Sequence, residues 1–394
     1  MSLYDEFDFF VWFAVLAIPA VILGCMEKKL KIYGFFVTLV FVYLALKNSP
    51  AALGWLGFFC VYDYLLIISF IKLREKLGRN KIIYKLYLLA SLMPLICNKL
   101  LGLEGNPDKI FMFLGISYLT FKGTQIIIEV FDGLIKKQNP LDYLYFMLFF
   151  PAITSGPIDR SRRFEEDLNK QLSREEYLEL AGTGIFKIVL GAFYKIVIAA
   201  LFYRVMTTFG KEPNIVSCMI YMYTYGLYLF FDFAGYSLMA IGSSYIFGIK
   251  TPDNFNKPFL SKDIKEFWDR WHITLSHWFR DFIFSRLMMT FMRNKTFKNK
   301  LTGASVGFIV NMTVMGIWHG LTGYYILYGL YHGLLLAGTE IFQKKSKFYK
   351  KYKKERWFIG LSWFLTFNFV MFGFFIFSGR FTELFDKLMT IILN

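Results

Sequence analysis

The chain has 394 residues, of which 56% are hydrophobic and 19% are charged, and its formal net charge is +16. The charges are absent from long runs, the longest of which covers residues 301–339, and this distribution excludes an ordinary soluble protein. The positive charge lies in short segments between those runs, so it does not indicate nucleic-acid binding. Four cysteines stand singly in apolar stretches without metal or redox spacing, which indicates buried structural thiols.

Runs without Lys, Arg, Asp or Glu recur along the whole chain, at 9–26, 32–46, 48–62, 86–98, 110–121, 143–158, 213–231, 233–249, 301–339 and 357–379. A helix needs about 20 mostly apolar residues to cross a hydrocarbon core roughly 30 Å thick. Several runs have this length, and others reach it if one ionisable residue is tolerated. The runs are continuous and not alternating, which favours helices over a β-barrel. The sequence therefore predicts an all-α polytopic integral membrane protein with about ten to twelve membrane segments in a single domain, residues 1–394.

Short basic segments between the apolar runs predict the orientation. The first residues, MSLYDEFDFF, are acidic where a signal peptide would be basic, which favours a retained first helix. Basic residues cluster at 28–31, 72–81 and 344–356, and such loops mark the cytoplasmic face. Because two apolar runs separate the first two clusters, we expect the N-terminus on the extracellular side.

Two charge-rich intervals interrupt the apolar runs. In the first, residues 159–180, Ser173 precedes Glu176 at the spacing of a helix capping box. The second, residues 251–300, contains FWDRWHITLSHWFRDFIFSRLMMTF, which is too polar to cross a bilayer yet rich in Trp and Phe. Aromatic residues mixed with Arg predict helices at the interface or re-entrant helices, here on the cytoplasmic side.

Six ionisable residues fall inside apolar segments, where such groups line a cavity or pair with neighbours: Asp63, Lys122, Glu129, Lys187, Lys195 and Asp232. Both alternatives stay open from the sequence alone. Lys122 and Glu129 are seven residues apart, so a helix would present them on one face.

The chain has four histidines, and all of them lie in its last third: His272, His277, His319 and His332. No HExxH motif and no nearby carboxylate at ligand spacing support a metal site, and no GxSxG or Walker motif is present. Base rates favour hydrogen-bonded packing roles for His277 and His332. His319, in MGIWHGLT, differs because glycines at 316, 320 and 323 bracket it in the longest charge-free run. The apolar segments on either side of His319 are each long enough for a helix, which predicts two helices joined by a tight Gly-rich turn.

Several ordered segments within about 110–340 carry a resemblance to a known family: GISYLTFKGTQIIIEVFDGLI, SGPIDRSRRF, FDFAGYSLMAIGSSYIFGIKTPDNFNKPFLSKDIKEFWDRWHITLS and NMTVMGIWHG. They resemble the membrane-bound O-acyltransferase (MBOAT) superfamily, above all its members that attach D-alanine to teichoic acids. The chain departs from the family pattern with Asp269 where Asn is usual and with His277 where an aromatic residue is usual. The resemblance implies the MBOAT fold, with membrane segments and short interfacial helices around a central funnel.

The resemblance also implies the reaction and its partners. His319 matches the catalytic histidine of the family, and His272 matches the second family histidine. The implied donor is a D-alanyl thioester on the phosphopantetheine arm of a small acidic cytoplasmic carrier protein. The implied acceptor is lipoteichoic acid outside the cell membrane of a Gram-positive bacterium, reached directly or through another D-alanylation protein. No metal and no cofactor bound by the chain itself is implied.

Elementary chemistry agrees with such a reaction. A thioester is already activated, so the enzyme needs a base for the acceptor hydroxyl and a donor to the developing oxyanion. A general base contributes about 10²–10⁴-fold in rate. We consider Trp318, Arg270 and Asn311 as oxyanion donors, whereas Asp232 and Lys122 are expected to shape the cavity.

An acidic carrier needs a basic surface, and residues 286–300 provide one without any acid. The predicted docking residues combine cations with methionines: Met288, Met289, Arg293, Lys298 and Lys300. The alternative is a positive loop that contacts anionic lipid.

At the level of function, the alternatives are a transporter of a D-alanylated intermediate, a polysaccharide O-acetyltransferase and an assembly scaffold. Inverted-repeat symmetry would favour the transporter, and the sequence shows none.

Overall fold

The computed structural model describes residues 3–101, 115–210 and 214–393. Every regular element in these ranges is helical, which confirms the predicted all-α class. The α-helices are α1 Phe7–Cys25, α2 Lys31–Leu46, α3 Pro50–Leu77, α4 Lys81–Leu101, α5 Ile116–Asp132, α6 Pro140–Leu148, α7 Ser161–Asn169, α8 Arg174–Ala192, α9 Ala200–Phe209, α10 Ile215–Ile246, α11 Ile264–Arg270, α12 Ile273–Phe279, α13 Ser285–Arg293, α14 Lys300–His319, α15 Gly323–Lys345, α16 Lys347–Tyr352, α17 Arg356–Phe377 and α18 Arg380–Leu393. Phe193–Ala199, between α8 and α9, and Arg280–Phe284, between α12 and α13, are π-helical.

Seven helices among the described residues are long and apolar enough to cross a membrane: Phe7–Cys25, Pro50–Leu77, Lys81–Leu101, Arg174–Phe209, Ile215–Ile246, Lys300–His319 and Arg356–Phe377. The polytopic character is thereby confirmed. Seven is below the predicted ten to twelve, partly because α10, with 32 residues, contains most of the runs 213–231 and 233–249. Another apolar helix, α2, has only 16 residues. The central funnel stays a prediction.

The described chain divides into two compact units, the first formed by Met1–Ala192 and Gly235–Asp253 and the second by Phe193–Ala234 and Asn254–Asn394. The predicted single membrane domain stays a prediction. The family core expected over 110–340 includes residues 110–114 and 211–213, which lie outside the described residues.

Helix α5 is the buried centre of the first unit, and almost every residue from Ile116 to Phe131 is inaccessible. Its polar groups therefore need partners inside the protein. The Lys122 ammonium donates hydrogen bonds to the carbonyl oxygens of Phe146, at 2.9 Å, and Met147, at 3.3 Å. The Thr124 hydroxyl lies 3.0 Å from that of Ser91. These contacts give Lys122 a structural role in the first unit.

The second unit is built around the antiparallel pair α14 and α15. The Asn299 side chain caps α14 by accepting a hydrogen bond from the Leu301 backbone N–H at 2.8 Å, and α14 ends at His319. Helix α15 begins only four residues later, so the predicted pair of helices with a short Gly-rich turn is confirmed. The helices approach closely where glycines face each other: a Cβ placed on Gly316 would lie 3.1 Å from the Gly329 Cα. Small residues allow such close backbone packing in membrane helices.

Both charge-rich intervals form short helices. The Ser173 hydroxyl accepts a hydrogen bond from the Glu176 N–H at 3.2 Å, and the Glu176 carboxylate accepts one from the Ser173 N–H at 3.0 Å. The predicted capping box is therefore confirmed. In the interval 251–300, α11, α12 and α13 have 7, 7 and 9 residues, which is too short to cross a bilayer. Their cytoplasmic position stays a prediction.

Candidate active site

His272 lies at the junction of α11 and α12, where the backbone turns sharply. Its φ of 43° and ψ of 53° fall in the left-handed region, which costs a non-glycine residue about 1–3 kcal/mol. The preceding loop stabilises this conformation, because Asn254 accepts hydrogen bonds from the Ile273 N–H at 2.9 Å and from the Thr274 hydroxyl at 2.6 Å. The turn places the imidazole edge-on against Phe233, with ring centroids 4.7 Å apart.

His319 is the last residue of α14, and its imidazole is half-buried among aromatic rings. The ring centroids of Trp318 and Phe377 lie 4.6 Å and 5.0 Å from it, and that of Tyr325 lies 6.1 Å away. A Cβ on Gly320 would collide with the Tyr325 ring, so a larger residue at this position would displace that ring. Residues of α14, α15 and α17 thus surround the imidazole.

Both imidazoles line one cavity of about 130 Å³, which we call the histidine cavity. All of its walls belong to the second unit, and apart from the histidines they are mainly apolar: Leu229, Phe233, Trp268, Trp271, Leu275, Tyr328, Phe374 and Phe377. A single water needs only about 10–15 Å³ of such space, so the cavity has room for a small acyl group beside the two rings. In a mainly apolar cavity, the two histidines are the natural sites for proton transfer.

The electrostatic environment of His272 keeps its ring neutral. The residue is only 4% exposed. Burial lowers the pKa of His272 from 6.5 to about 3, and the nearby His319 contributes to the same shift. A neutral imidazole has one N–H donor and one nitrogen acceptor. His272 can therefore orient a substrate or its neighbour by hydrogen bonding at physiological pH.

A second cavity, of about 260 Å³, is named here the Arg280 cavity. Its polar lining comes mainly from α11 and α12 and includes Lys265, Asp269, Ser276, His277 and Arg280, whereas α14 and α15 contribute Asn311, Met312, Met315 and Leu336. Trp268 lines this cavity as well as the histidine cavity. The buried Trp268 side chain is therefore a wall that the two cavities share.

The structure brings together only some of the predicted site residues. His272, His319 and Trp318 lie at or beside the histidine cavity. Asn311 lines the Arg280 cavity instead, and the Arg270 guanidinium pairs with Glu266 at 2.6 Å.

The intramembrane charges Asp232 and Lys122 have structural partners. The Asp232 carboxylate lies 2.6 Å from the Lys195 ammonium, although the next residue, Phe233, does line the histidine cavity. Lys122 belongs to the first unit, where it bonds to the carbonyl oxygens described above. Their predicted role in shaping a cavity stays a prediction.

The remaining histidines also differ from each other. His277 lines the Arg280 cavity, whereas His332 is completely buried among aromatic rings. The ring centroids of Tyr328 and Trp268 lie 4.6 Å and 5.2 Å from that of His332. Within the described ranges no group of three His, Cys, Asp or Glu residues is arranged to hold a metal ion.

The predicted docking surface spans α13 and the turn that leads into α14. Met289, Arg293, Lys298 and Lys300 are exposed, and among the described residues no carboxylate forms an ion pair with these three cations. Met288 is half-buried, and a Cβ placed on Gly307 of α14 would lie 3.2 Å from its sulfur. Met288 thus secures α13 to α14, while Met289 offers the free apolar surface.

Much of the histidine cavity comes from residues that the sequence does not mark as functional. Tyr328, Phe374 and Phe377 lie on α15 and α17, and Leu229 lies on α10. With 47 Phe and 25 Tyr in the chain, an aromatic residue alone carries no signal. Four other wall residues, Phe233, Trp268, Trp271 and Leu275, do lie within the quoted segment that begins FDFAG.

Comparison with known proteins gives a consistent family. The family model described as MBOAT, membrane-bound O-acyltransferase family, matches residues 51–379, a range that contains both histidines of the cavity. The chain is 43% identical over 390 residues to a teichoic acid D-alanyltransferase of Bacillus subtilis (strain 168), which covers 96% of this chain and 98% of the relative. It is 40% identical over 398 residues to a protein of the same name from Streptococcus thermophilus, covering 97% and 96%.

More distant similarity extends to another activity. A probable alginate O-acetylase of Pseudomonas syringae pv. tomato is 31% identical over 275 residues, which cover 68% of this chain and 49% of the relative.

Proposed function

Since the chain belongs to the membrane-bound O-acyltransferase family and is an acyltransferase, we propose that it transfers D-alanine from a carrier-protein thioester to teichoic acid. The near full-length similarity to teichoic acid D-alanyltransferases supports D-alanine as the acyl group and teichoic acid as the acceptor. The observation that carries the proposal is structural: two histidines, separated by 47 positions in sequence, line one cavity within the matched region.

In this proposal His319 is the general base. Its imidazole takes the proton of the acceptor hydroxyl while the oxygen attacks the thioester carbonyl carbon. The new carbon–oxygen bond replaces the carbon–sulfur bond, and the departing thiolate receives the proton, so the reaction needs no external oxidant or reductant. His319 suits this role better than His272 because it is half-buried and is the last residue of its helix, where a substrate can reach it. A base must come within about 2.6–3.2 Å of the proton-bearing atom.

His272 and Trp318 have supporting roles. The neutral His272 ring holds the second wall of the cavity and can donate a hydrogen bond to the carbonyl oxygen that becomes negative. Of the three predicted oxyanion donors, Trp318 is the one whose ring packs on His319. Preorganised donors of this kind contribute about 10²–10³-fold to acyl transfer.

The donor thioester is proposed to approach through the Arg280 cavity. A phosphopantetheine arm is a long polar chain with an anionic phosphate at its protein end. The residues of this cavity fit such a group, because the Arg280 guanidinium, which also contacts the Asp281 carboxylate at 3.2 Å, supplies a cation, while Met312 and Met315 provide an apolar wall. The exposed cations Arg293, Lys298 and Lys300 would attract the acidic carrier itself. In this proposal the chain provides the cavity through which the arm enters, and the carrier protein provides the phosphopantetheine arm.

The acceptor is proposed to reach His319 from the opposite side of the membrane. Teichoic acid is then modified on the extracellular face, with the N-terminus on the same side, and alanine crosses without a separate flipping step. The acceptor hydroxyl belongs either to lipoteichoic acid itself or to a partner protein of the same D-alanylation system. The cell membrane of a Gram-positive bacterium is the location consistent with this acceptor.

One reconstitution experiment distinguishes the proposed acyl transfer from the alternative functions. Purified full-length protein is mixed with carrier that bears radiolabelled D-alanine and with lipoteichoic acid, and the label is followed from thioester to ester. We expect label to leave the thioester only when His319 is intact, with His319→Ala retaining a cooperative thermal transition and carrier binding. Carrier binding without turnover would indicate a scaffold, and movement of an intact alanylated compound across a vesicle would indicate a transporter. Transfer of acetyl in preference to D-alanyl would indicate a polysaccharide O-acetylase.

A further inference from the structure

A groove outside both cavities lies along α15, α16 and α17 and has a volume of about 260 Å³. Its apolar wall is formed by Leu335, Phe342, Phe358, Ile359, Leu365 and Phe369. We call it the α15–α17 groove. No residue of this wall lines the histidine cavity or the Arg280 cavity, so the proposed acyl transfer does not account for the groove.

Part of the groove wall is exposed on a helix that is long and apolar enough to cross a membrane. Leu365 and Phe369 are 43% and 45% exposed on α17, which is one of the helices suited to cross the membrane. Phe358 and Phe369 are eleven positions apart, which at 1.5 Å per residue corresponds to about 16 Å along the helix. This length is about half of a hydrocarbon core roughly 30 Å thick. The apolar wall thus matches the depth of a single leaflet.

The polar end of the groove is electropositive. Lys262 and Lys353 line it, and neither lysine side chain pairs with a carboxylate in the part of the chain that the structure describes. Two carboxylates also line the groove, and both have partners. Asp263 accepts hydrogen bonds from the backbone of α11, and Glu266 pairs with Arg270. Residues 344–356 contain seven basic side chains besides Lys353, against the single acid Glu355, and one of the seven, Lys344, pairs with Glu340 at 2.6 Å. A negatively charged group is therefore favoured at this end.

We propose that the α15–α17 groove binds one anionic phospholipid from the surrounding leaflet, with an acyl chain along α17 and the phosphate at Lys262 and Lys353. The combination of an exposed apolar wall one leaflet deep with two lysines at its end, neither of them paired with a carboxylate among the described residues, selects this ligand over a zwitterionic lipid. A free phosphate lacks the chain that the apolar wall would bury, so the lipid is the source of the anion.

Binding at this groove has a structural consequence for α11. The Gln343 side chain lines the groove and donates a hydrogen bond to the Asp263 carboxylate at 2.9 Å. Asp263 caps the first turn of α11, the helix that ends two residues before His272. A lipid that orders the groove therefore stabilises the helix leading to the histidine cavity, and its removal lowers the thermal stability of the whole chain.

The test uses full-length protein in detergent and a phosphatidylglycerol that carries a photoactivatable diazirine in its acyl chain. We expect cross-links to map to the groove face of α17 and unlabelled phosphatidylglycerol to compete, while phosphatidylcholine and inorganic phosphate do not. Loss of one cation near a lipid headgroup weakens binding about fivefold, so Lys262→Gln with Lys353→Gln should weaken it about 25-fold. The matched control is Lys350→Gln with Lys354→Gln, which removes the same total charge from the basic segment that contains Lys353, at positions that do not line the groove, and should change binding less than threefold.

A second pair of variants tests the apolar wall without altering charge. Ser362→Phe fills the groove, whereas Gly360→Phe adds the same ring on α17 where a Cβ meets no atom within 4 Å. Ser362→Phe should abolish groove cross-linking, and Gly360→Phe should preserve it. The proposal would be overturned if both double lysine variants lost lipid binding equally, or if Ser362→Phe gave groove cross-links in unchanged yield. Equal competition by phosphatidylcholine would overturn it as well. None of these outcomes depends on acyl transfer, so they are separable from a failure of the proposed function.

Discussion

Gly316 lies three residues before His319, where α14 and α15 touch through their backbones. A Cβ at this position would lie 3.1 Å from the Gly329 Cα and well inside 3.0 Å of the Tyr325 carbonyl oxygen. These are backbone atoms, so no side-chain rotation relieves the overlap. Restoring an ordinary contact of 3.4 Å requires the two helices to move apart by about 1 Å.

That displacement acts directly on the proposed base. His319 ends α14, whereas Tyr325 and Tyr328, which pack against its ring, lie on α15. A misplacement of about 1 Å in a reacting group can lower the rate about 10²-fold. Overpacking of this kind also lowers the free energy of unfolding by about 1–3 kcal/mol. We therefore expect Gly316→Ala to lower D-alanyl transfer about 100-fold and to lower the thermal stability.

The matched control is Gly338→Ala on α15, where an added Cβ meets no atom within 4 Å. Alanine is the better helix former by about 1 kcal/mol, so this variant should transfer at the wild-type rate with equal or higher thermal stability. Single-turnover transfer from labelled carrier and thermal unfolding in the same detergent measure both quantities. Wild-type transfer by Gly316→Ala would refute the claim that this helix contact positions His319.

Two further predictions concern the docking surface and the neutral histidine. Lys298→Glu with Lys300→Glu should slow association of the acidic carrier and remove its salt dependence, measured by surface plasmon resonance; binding as tight as that of the unaltered chain would count against the docking site. His272 has a pKa of about 3 in the folded state against 6.5 ordinarily, so the unfolded chain takes up a proton that the folded chain excludes. Its contribution to stability is complete above pH 6.5 and falls with decreasing pH, by about 2 kcal/mol at pH 5. His272→Gln should lack this part of the acid sensitivity when thermal unfolding at pH 7.5 and pH 5 is compared, and an identical response of both proteins would contradict a neutral buried imidazole.

Local features of the active region were predictable from the sequence because their causes are local. The helix pair around His319 follows from the length of the charge-free run and its glycines, and the Ser173–Glu176 box follows from residue spacing. Both are confirmed by the structure. His319 and His272 could be predicted to act together only from the family motifs, because a single histidine in a sequence does not show which residues will lie beside it in the fold.

The remainder of the cavity depends on contacts between distant segments. Phe374 and Phe377 reach the histidines from α17, outside the region where motifs were recognised, and nothing in their local sequence predicts it. Asn311 and Arg270 are close to the histidines along the chain, yet helix geometry places them elsewhere. The count of spans was similarly limited, because a single Asp232 divides two apolar runs that α10 joins.

The central claim is that one imidazole serves a donor and an acceptor that approach from opposite sides of the bilayer. The most direct measurement uses vesicles with uniformly oriented protein, labelled D-alanyl carrier on the side of the basic segments and lipoteichoic acid only on the other side. We expect ester-linked label in lipoteichoic acid with the unaltered chain and a loss of at least about 10²-fold with His319→Ala. Transfer that persists in His319→Ala, or that occurs only when carrier and acceptor share one side, would contradict it.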